Sequence, residues 1–210
     1  MVTDLYPQIT RYLLRVTPAR QGVLKRLETE ARRADFPIIG PLAGRLLYQL
    51  ALLTRARRVF ELGSGFGYSA LWFAMALGKS GEIQLTDRDP KNRERALANF
   101  RSARIATRVK YHIGDALEPL ARSRGAFDII LNDIDKDRYP LVVDLALRKL
   151  RVGGLLITDN LLWDGKVFRA GGDKTTRGVK EYTRLVYANP RFFTTIIPIR
   201  DGVAVSMKLK

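Results

Sequence analysis

Acidic side chains follow two of the short apolar runs in the second half of the chain. Asp133 ends one run, and Asp159 with Asn160 ends the next. Two carboxylates beside a carboxamide form the kind of oxygen-only ligand set that Mg²⁺ or a similar hard cation prefers. Without a cation the carboxylates would repel each other, unless Arg138 or Lys136 neutralises them. The sequence therefore predicts either a divalent-cation site or an internal ion pair at these positions.

A glycine-rich segment earlier in the chain has the pattern of a strand, a tight turn and a helix. A β-branched and aromatic run ends in Glu61, glycines follow at Gly63, Gly65 and Gly67, and an apolar helical pattern begins at Ala70. Glycine permits positive φ and lets a ligand approach the backbone without meeting a Cβ atom, and the start of a helix offers free N–H donors. The segment is therefore a candidate binding site for a nucleotide-like ligand.

Three ligand classes and one structural interpretation compete for this turn. A dinucleotide fingerprint needs a small residue where the chain has Tyr68, which weakens the case for a nicotinamide oxidoreductase. A phosphate loop needs a lysine, and its absence from the turn excludes that class. A glycine turn that binds nothing is the structural alternative, but Glu61 and an acid one strand later count against it. A ligand with an adenosyl group and no phosphate fits best, so S-adenosylmethionine (SAM) is the leading candidate.

Two further acids end the neighbouring predicted strands. Asp87 is placed to accept hydrogen bonds from both ribose hydroxyls, and Asp115 is placed to accept one from an adenine amino group. In an open α/β sheet the ligand binds beyond the carboxyl ends of the strands. Each acid taken singly is better explained as the N-cap of the next helix. Their repetition at the same edge of the sheet favours a binding site.

Alternating strands and helices are predicted to position these residues. Before residue 56 the apolar spacing predicts three helices and no strand, over about residues 4–15, 18–33 and 42–53. From there the alternation predicts an α/β fold with a doubly wound, mostly parallel sheet. Strands are expected at 59–62, 82–86, 108–113, 127–132, 155–158, 192–199 and 203–208, with helices between them at 68–77, 90–102, 118–122, 139–150 and 179–188. The last two strands flank an Asp-Gly turn and predict a C-terminal antiparallel hairpin.

We expect one domain over residues 1–210, with an N-terminal helical cap at 1–55 and a Rossmann-like core at 56–210. A seven-stranded sheet closed by an antiparallel pair is the arrangement of class I SAM-dependent methyltransferases. The segment from Asp164 to Arg177 holds several glycines and cations, which predicts a mobile loop over an acceptor.

Composition excludes several classes of protein. The chain has no cysteine and one histidine, so disulfides are impossible and a zinc site of Cys and His ligands is ruled out. The first residues lack an apolar signal segment and no run is long enough for a membrane span, which predicts a cytoplasmic protein with no membrane partner. The net charge of +16 attracts polyanions such as RNA, although an arginine-rich proteome or a heat-adapted surface explains it equally well.

Several segments together resemble a known family. They are Glu61 to Ser69, Asn132 to Tyr139 and Ile157 to Val167, and they are similar to the cation-dependent O-methyltransferases, the group that includes caffeoyl-CoA and catechol O-methyltransferases. Further similarity, to bacterial members that methylate 5-hydroxyuridine in tRNA, comes from the segments 6–9, 36–39, 114–117 and 195–206. The resemblance spans nearly the whole chain and implies a SAM-dependent O-methyltransferase.

The resemblance also implies roles for individual residues. Asp133, Asp159 and Asn160 would hold Mg²⁺ or another hard divalent cation, and Lys136 would act with Asp133 in catalysis, as the base that deprotonates the acceptor hydroxyl. The residues expected to bind SAM are Ile39, Glu61, Gly63, Gly65, Ser69, Asp87, Asp115, Ala116 and Asp133, with Ser69 on the SAM carboxylate and Asp87 on the ribose. Phe66 is bulkier and Asp87 shorter than the residues common in the family. Relatives are commonly dimers, so we expect a homodimer.

Four functions therefore compete at the level of sequence. The first is metal-dependent O-methylation of 5-hydroxyuridine in tRNA, and the second is the same chemistry on a catechol-like or caffeoyl-CoA-like small molecule. The third is a basic RNA-binding module whose methyltransferase fold is inactive, against which the intact set of Asp133, Asp159 and Asn160 argues. A nicotinamide oxidoreductase is a distant fourth.

Overall fold

A single seven-stranded sheet forms the centre of the protein. The computed structural model describes residues 2–210, with side chains from Tyr6 onward. The strand order is β3-β2-β1-β4-β5-β7-β6, and only β7 runs antiparallel to its neighbours in the described part of the chain. The strands are β1 (Arg58–Leu62), β2 (Glu82–Asp87), β3 (Arg108–Ile113), β4 (Phe127–Asn132), β5 (Leu150–Thr158), β6 (Phe192–Ile197) and β7 (Val203–Lys208).

Helices cover both faces of the sheet. They are α1 (Val2–Val16), α2 (Gly22–Arg33), α3 (Gly40–Leu53), α4 (Tyr68–Leu77), α5 (Pro90–Ser102), α6 (Leu117–Arg122), α7 (Pro140–Lys149) and α8 (Lys174–Ala188). Two short 3₁₀ segments, Lys136–Arg138 and Trp163–Phe168, lie between β4 and α7 and between β5 and α8. None of the helices in the described range 2–210 is long and apolar enough to cross a membrane.

The central strands are apolar on both faces because each face has its own core. In β4, Ile129 and Leu131 pack into the core beneath α2 to α5, whereas Ile130 packs into the core beneath α6 to α8. In β1, Val59 and Phe60 divide between the two cores in the same way. Side chains of a strand alternate between faces, so a strand covered on both sides shows continuous hydrophobicity rather than an alternating pattern.

The predicted fold class is confirmed, and most element boundaries agree within two residues. Three boundaries, the starts of β5, α2 and α8, were wrong by more than two residues. Strand β5 begins at Leu150 rather than 155, because its first residues pair with β4 across an irregularity at Phe127 and Ile129. Strand β6 ends at Ile197 rather than 199, before the turn into β7. Helix α2 begins at Gly22 rather than at residue 18. The residues before Gly22 are not helical, and Arg20 among them forms an ion pair with Glu28 inside the helix.

Helix α8 begins at Lys174, five residues before the predicted start, and this changes the interpretation of the segment 164–177. The carboxylate of Asp173 accepts a hydrogen bond from the backbone N–H of Thr176 at 2.7 Å and caps the helix. Lys180 donates to the carbonyl of Gly171 at 2.9 Å, and the Asp164 N–H donates to Asp201 at 2.6 Å. The last four residues of the segment predicted to be a mobile loop, 174–177, instead form the first turn of this helix.

The order of the strands reverses between β1 and β4. From β1 the chain moves outward to β2 and β3, then returns to β4 on the opposite side of β1. Such a switch point leaves a crevice at the carboxyl ends of the strands, because the helices that follow the two central strands cover opposite faces. The segments predicted to carry the chemistry follow β1, β2, β4 and β5, and the topology therefore brings them to one edge.

Candidate active site

A cavity of about 660 Å³ opens at this edge of the sheet. It is lined by residues from the loops after β1 to β5, from the segment before α3, from the start of α8 and from the turn between β6 and β7. Ten of the residues predicted for the site line it: Ile39, Gly63, Gly65, Ser69, Asp87, Ala116, Asp133, Lys136, Asp159 and Asn160. The remaining two, Glu61 and Asp115, lie behind the wall of the cavity or beside it.

The glycine turn forms one wall, but its glycines are required chiefly by the protein's own packing. Gly63 has φ of 82°, and a Cβ atom there would lie 2.4 Å from the backbone oxygen of Asp133. A Cβ atom on Gly65 would lie 3.0 Å from the Phe36 ring. Protein atoms already fill the positions that Cβ atoms on these glycines would take. The prediction that the missing Cβ atoms leave room there for a ligand is therefore wrong. Gly63 lets the β1 turn contact the β4 loop directly, which brings the two halves of the site together.

Asp87 ends β2 and organises the turn. Its carboxylate accepts hydrogen bonds from the backbone N–H of Gly65 at 3.0 Å, from the N–H of Asp89 at 2.8 Å and from the side-chain amide of Asn92 at 3.1 Å. Each carboxylate oxygen can accept more than one hydrogen bond, so the side chain keeps capacity for ribose hydroxyls. Asp87 is thus held in place before any ligand arrives.

Glu61 and Ser69 form a buried pair beneath the cavity. The Ser69 hydroxyl donates to Oε1 of Glu61, and Oε2 is buried with no hydrogen-bond partner in the described part of the chain. Burial raises the pKa of Glu61 to about 8, against the opposing effect of the Ser69 hydrogen bond, and the charge of Asp133 raises it further. Ser69 was predicted to hold the SAM carboxylate. It lines the cavity, but in this structure its proton points to Glu61.

Asp115 has its carboxylate engaged elsewhere. It accepts from the backbone N–H of Leu117 at 2.9 Å and forms an ion pair with Arg138 at 2.7 Å. The Leu117 hydrogen bond, with the charge of Arg138, lowers the pKa of Asp115 below its ordinary value. Asp115 lies one residue before the N-cap of α6, which is Ala116. Its carboxylate lies beside the cavity that Ala116 lines, and the adenine contact stays a prediction.

Two carboxylates and two cations meet at the centre of the site. Lys136 donates to Oδ1 of Asp133 at 2.8 Å, and the guanidinium of Arg200 donates to Oδ2 of Asp159 at 3.2 Å. The sequence left open whether Lys136 or Arg138 neutralises these acids. Lys136 does so for Asp133, Arg138 binds Asp115 instead, and the partner of Asp159 comes from the distant β6–β7 turn.

Oxygen atoms remain for a cation. Oδ1 of Asp159 is buried and has no hydrogen-bond partner within the described structure, which is a costly state for a carboxylate. Burial, with the nearby charge of Asp133, raises the pKa of Asp159 to about 6. Asn160 has φ of 63°, and its amide nitrogen donates to Asp201 at 3.3 Å, which leaves its amide oxygen available. These donors fit a hard divalent cation.

The third donor of this set is an amide rather than an acid. Accordingly, no group of three or more His, Cys, Asp or Glu side chains with metal-binding geometry occurs among the residues described. The donor set combines two carboxylates with one neutral oxygen, and water would have to complete the coordination of Mg²⁺.

Lys136 is held from three sides. Its ammonium binds Asp133 and lies 5.1 Å from the ring centre of Tyr139 and 5.7 Å from that of Trp163. The Tyr139 hydroxyl in turn donates to the backbone oxygen of Asp159 at 3.0 Å. The predicted base is therefore inside the cavity, beside the two carboxylates, and its aromatic neighbours restrict its rotamers.

Phe36, Trp163 and Arg200 are among the lining residues that were missing from the predicted site. Phe36 packs on Phe66 at 4.7 Å between ring centres and closes the cavity over the glycine turn. Each lies in or next to a segment that carried the family resemblance, so the signal was present at the level of segments. Nothing in the local sequence showed which side chain of each segment points into the cavity.

Comparison with known proteins identifies the family. A family model described as O-methyltransferase matches residues 18–209, more than nine-tenths of the chain. The chain belongs to the O-methyltransferase family. The predicted O-methyltransferase activity and the family resemblance are thereby confirmed.

Individual members of this O-methyltransferase family align over most of the chain. A catechol O-methyltransferase from Niastella koreensis is 29% identical over 99% of both chains. A caffeoyl-CoA O-methyltransferase from Eucalyptus gunnii is 30% identical over 80% of this chain and 72% of its own. Among solved structures, an O-methyltransferase from Bacillus cereus, in complex with SAH, superposes with a TM-score of 0.86, is 25% identical and covers 98% of this chain and 99% of its own.

Proposed function

We propose that this O-methyltransferase transfers the methyl group of SAM to an acceptor oxygen that lies next to a divalent cation. One observation carries the proposal. The buried, partnerless oxygen of Asp159 lies with Asp133 and Asn160 in the same cavity as the glycine turn. A cofactor on the turn and a cation on the acids would thus share one enclosed space of about 660 Å³, a size that suits SAM with one small planar acceptor.

The side chains divide the work of the reaction. Asp133, Asp159 and Asn160 would hold the cation, which when bound supplies a positive charge that favours the ionised acceptor hydroxyl. Asp87 orients the ribose of SAM, and the turn from Gly63 to Ser69 shapes the wall beneath its methionine part. Lys136 lies next to Asp133 and, once its ammonium has released a proton to solvent, would take up the proton of the acceptor hydroxyl. SAM, when bound, would supply the methyl group on a sulfonium sulfur that leaves as a neutral thioether.

The charge of the cavity supports this assignment. Of the side chains that line it, five are acids and four are bases: Asp87, Asp133, Asp135, Asp137 and Asp159 against Arg88, Lys136, Arg138 and Arg200. The resulting net charge of −1 suits a sulfonium cofactor and a cation. The excess positive charge of the chain therefore lies outside the cavity, on the surface around it.

The acceptor that we propose first is 5-hydroxyuridine in tRNA. The net charge of +16 supports it, because a positive surface around a small reactive cavity suits a long polyanion of which one base enters. At the rim, Arg88 and Lys174 are 65% and 79% exposed while paired with Asp135 and Asp137, so they can exchange these partners for phosphates.

A catechol-like or caffeoyl-CoA-like small molecule is the second candidate acceptor. The names of the relatives from Niastella koreensis and Eucalyptus gunnii favour it. A pair of adjacent oxygens on an aromatic ring is also a suitable ligand for a hard cation held by three protein oxygens.

One experiment separates these candidates. The protein is incubated with methyl-labelled SAM and either bulk tRNA or a panel of catechols, each with Mg²⁺ and with EDTA. We expect transfer with Mg²⁺ that EDTA abolishes, and transfer to tRNA if the first acceptor is correct. Transfer to catechols alone would select the second acceptor. Transfer that persists in EDTA would overturn the role of the cation, and SAM binding without any transfer would favour a non-catalytic RNA-binding module.

A further inference from the structure

Arg200 has an unusual backbone conformation at the edge of the cavity. It lies in the turn between β6 and β7 with φ of 53°, in the left-handed region that glycine adopts freely and arginine only rarely. Gly202, two residues later, has φ of 83°. Backbone strain of this kind persists where the surrounding structure enforces it, and it is concentrated at functional sites. A contact of the Arg200 side chain is therefore the expected cause of this conformation.

The Arg200 side chain is directed onto a proposed cation ligand. Its Nη1 atom lies 3.2 Å from Oδ2 of Asp159, and its guanidinium is 29% exposed whereas Asp159 is 4% exposed. Its Cδ and Nε atoms lie 3.7 and 3.8 Å from the place where Gly40 would carry a Cβ atom. The aliphatic part of the side chain thus crosses the start of α3 at Gly40, which has no side chain to obstruct it, and the guanidinium reaches Asp159.

The guanidinium and a divalent cation would act on the same carboxylate. With Lys136 on Asp133 and Arg200 on Asp159, two positive charges already balance the two negative charges of the site. A cation that binds Asp159 meets a fixed positive charge one carboxylate away, and repulsion at such distances is strong in a partly enclosed cavity. Lys136 and Arg200 differ in their other contacts. The ammonium of Lys136 also lies against two aromatic rings, whereas the guanidinium of Arg200 contacts the carboxylate of Asp159.

We propose that Arg200 is an internal competitor of the divalent cation: its positive charge, held on Oδ2 of Asp159 beside the free Oδ1, weakens cation binding at this site. The proposal rests on the cation site described under Proposed function. It predicts a site that fills only at cation concentrations well above those that the two carboxylates and the amide would need on their own.

Direct measurement of Mn²⁺ binding tests this proposal. Free Mn²⁺ is followed by electron paramagnetic resonance during titration of the wild-type protein, Arg200→Met and Arg200→Lys. Methionine removes the charge and keeps an unbranched stem, so we expect Arg200→Met to bind Mn²⁺ at least about tenfold more tightly. Lysine keeps the charge, so Arg200→Lys is expected to stay within about threefold of the wild type.

A matched control removes another left-handed arginine. Arg104 has φ of 52° and lies in the connection between α5 and β3, away from the cavity lining. Arg104→Met should leave Mn²⁺ affinity within about twofold of the wild type, which separates the local charge from general effects of such a substitution. Calorimetric titration with SAM verifies that each variant retains the folded cofactor site.

The possible results are distinct. Equal Mn²⁺ affinity in the wild type and Arg200→Met, or weaker binding in Arg200→Met, would overturn the competitor role while leaving the cation site intact. Binding to Arg200→Met but not to the wild type would support the proposal in its strongest form. Absence of Mn²⁺ binding from every variant, with SAM binding preserved, would overturn both the cation site and this inference.

Discussion

At the scale of single residues, the least expected feature is a buried acid that no cation neutralises. Glu61 is fully buried, its Oε1 accepts from Ser69, and its Oε2 has no partner among the described residues. Both residues were predicted for the site, Glu61 as the acid before the glycine turn and Ser69 by the family resemblance. The sequence did not show that they bind each other, because that contact depends on how helix α4 leaves the turn.

The burial of Glu61 predicts a pH-dependent stability. Its pKa is about 8 in the folded protein and near 4.5 in the unfolded chain. The folded state therefore keeps a proton that the unfolded chain releases, and the associated stability is complete below pH 4.5 and is lost as the pH rises toward 8. Glu61→Gln cannot ionise, so its free energy of unfolding relative to the wild type should rise between pH 5 and 8, by up to about 1.4 kcal/mol per pH unit.

Urea denaturation of both proteins at several pH values, without SAM and without divalent cations, measures this difference. Ser69→Ala is the matched control, because it removes the hydrogen bond and keeps the ionisable acid. Its stability should fall with pH at least as steeply as that of the wild type. Parallel curves for the wild type and Glu61→Gln would show that Glu61 does not carry a raised pKa.

At the scale of elements, helix α8 supports the turn that carries Lys136. A Cβ atom on Gly178 would lie 2.3 Å from the backbone oxygen of Lys136 and 2.6 Å from Cα of Asp137. The helix therefore packs backbone against backbone on the 3₁₀ turn, and only glycine permits this approach. Asp173 fixes the register of the helix by capping its first turn.

Gly178→Ala should disturb the active site from outside it. The added methyl group meets backbone atoms that cannot move independently, so we expect a loss of about 1–3 kcal/mol in unfolding free energy, and a shift of Lys136 that lowers the rate of methyl transfer. SAM affinity should change little, because the glycine turn belongs to β1 and α4. Thermal denaturation, calorimetry with SAM and a methyl-transfer assay measure the three quantities.

Glu181→Ala on the exposed side of the same helix is the control. Glu181 pairs with Arg184 at the surface, and such pairs contribute little, so this variant should stay within about 0.5 kcal/mol of the wild type. If Gly178→Ala has unchanged stability and unchanged turnover, the close backbone contact between helix α8 and the Lys136 turn is not needed for either property.

The elements also show what the sequence could and could not predict. Strands β1 to β4 and helices α4 and α5 were predicted nearly to the residue, because their signals are local: apolar runs, glycine turns and a proline at the start of α5. The start of α8 was missed because Gly171 and Gly172 indicated a loop, although Asp173 is a typical N-cap residue. The ion pair of Arg200 with Asp159 was out of reach, because it joins residues 41 positions apart through the pairing of β7 with β5.

At the scale of the whole molecule, the positive charge and the cavity have separate roles. The cavity lining is close to neutral, so the net charge of +16 acts as a field around the site rather than within it. A field of this kind attracts a polyanion toward the rim and loses strength with added salt. The expected homodimer and the expected cytoplasmic location stay predictions, as does tRNA as the acceptor.

We infer that SAM and a divalent cation bind side by side in this cavity. The most direct test is the nuclear magnetic resonance signal of SAM labelled with ¹³C in its methyl group and bound to the protein, followed as Mn²⁺ is added. We expect Mn²⁺ to broaden the methyl signal strongly in the wild type, and this broadening to be lost in Asp159→Asn, which still binds SAM. A methyl signal that stays sharp in the wild type while both SAM and Mn²⁺ are bound would contradict side-by-side binding.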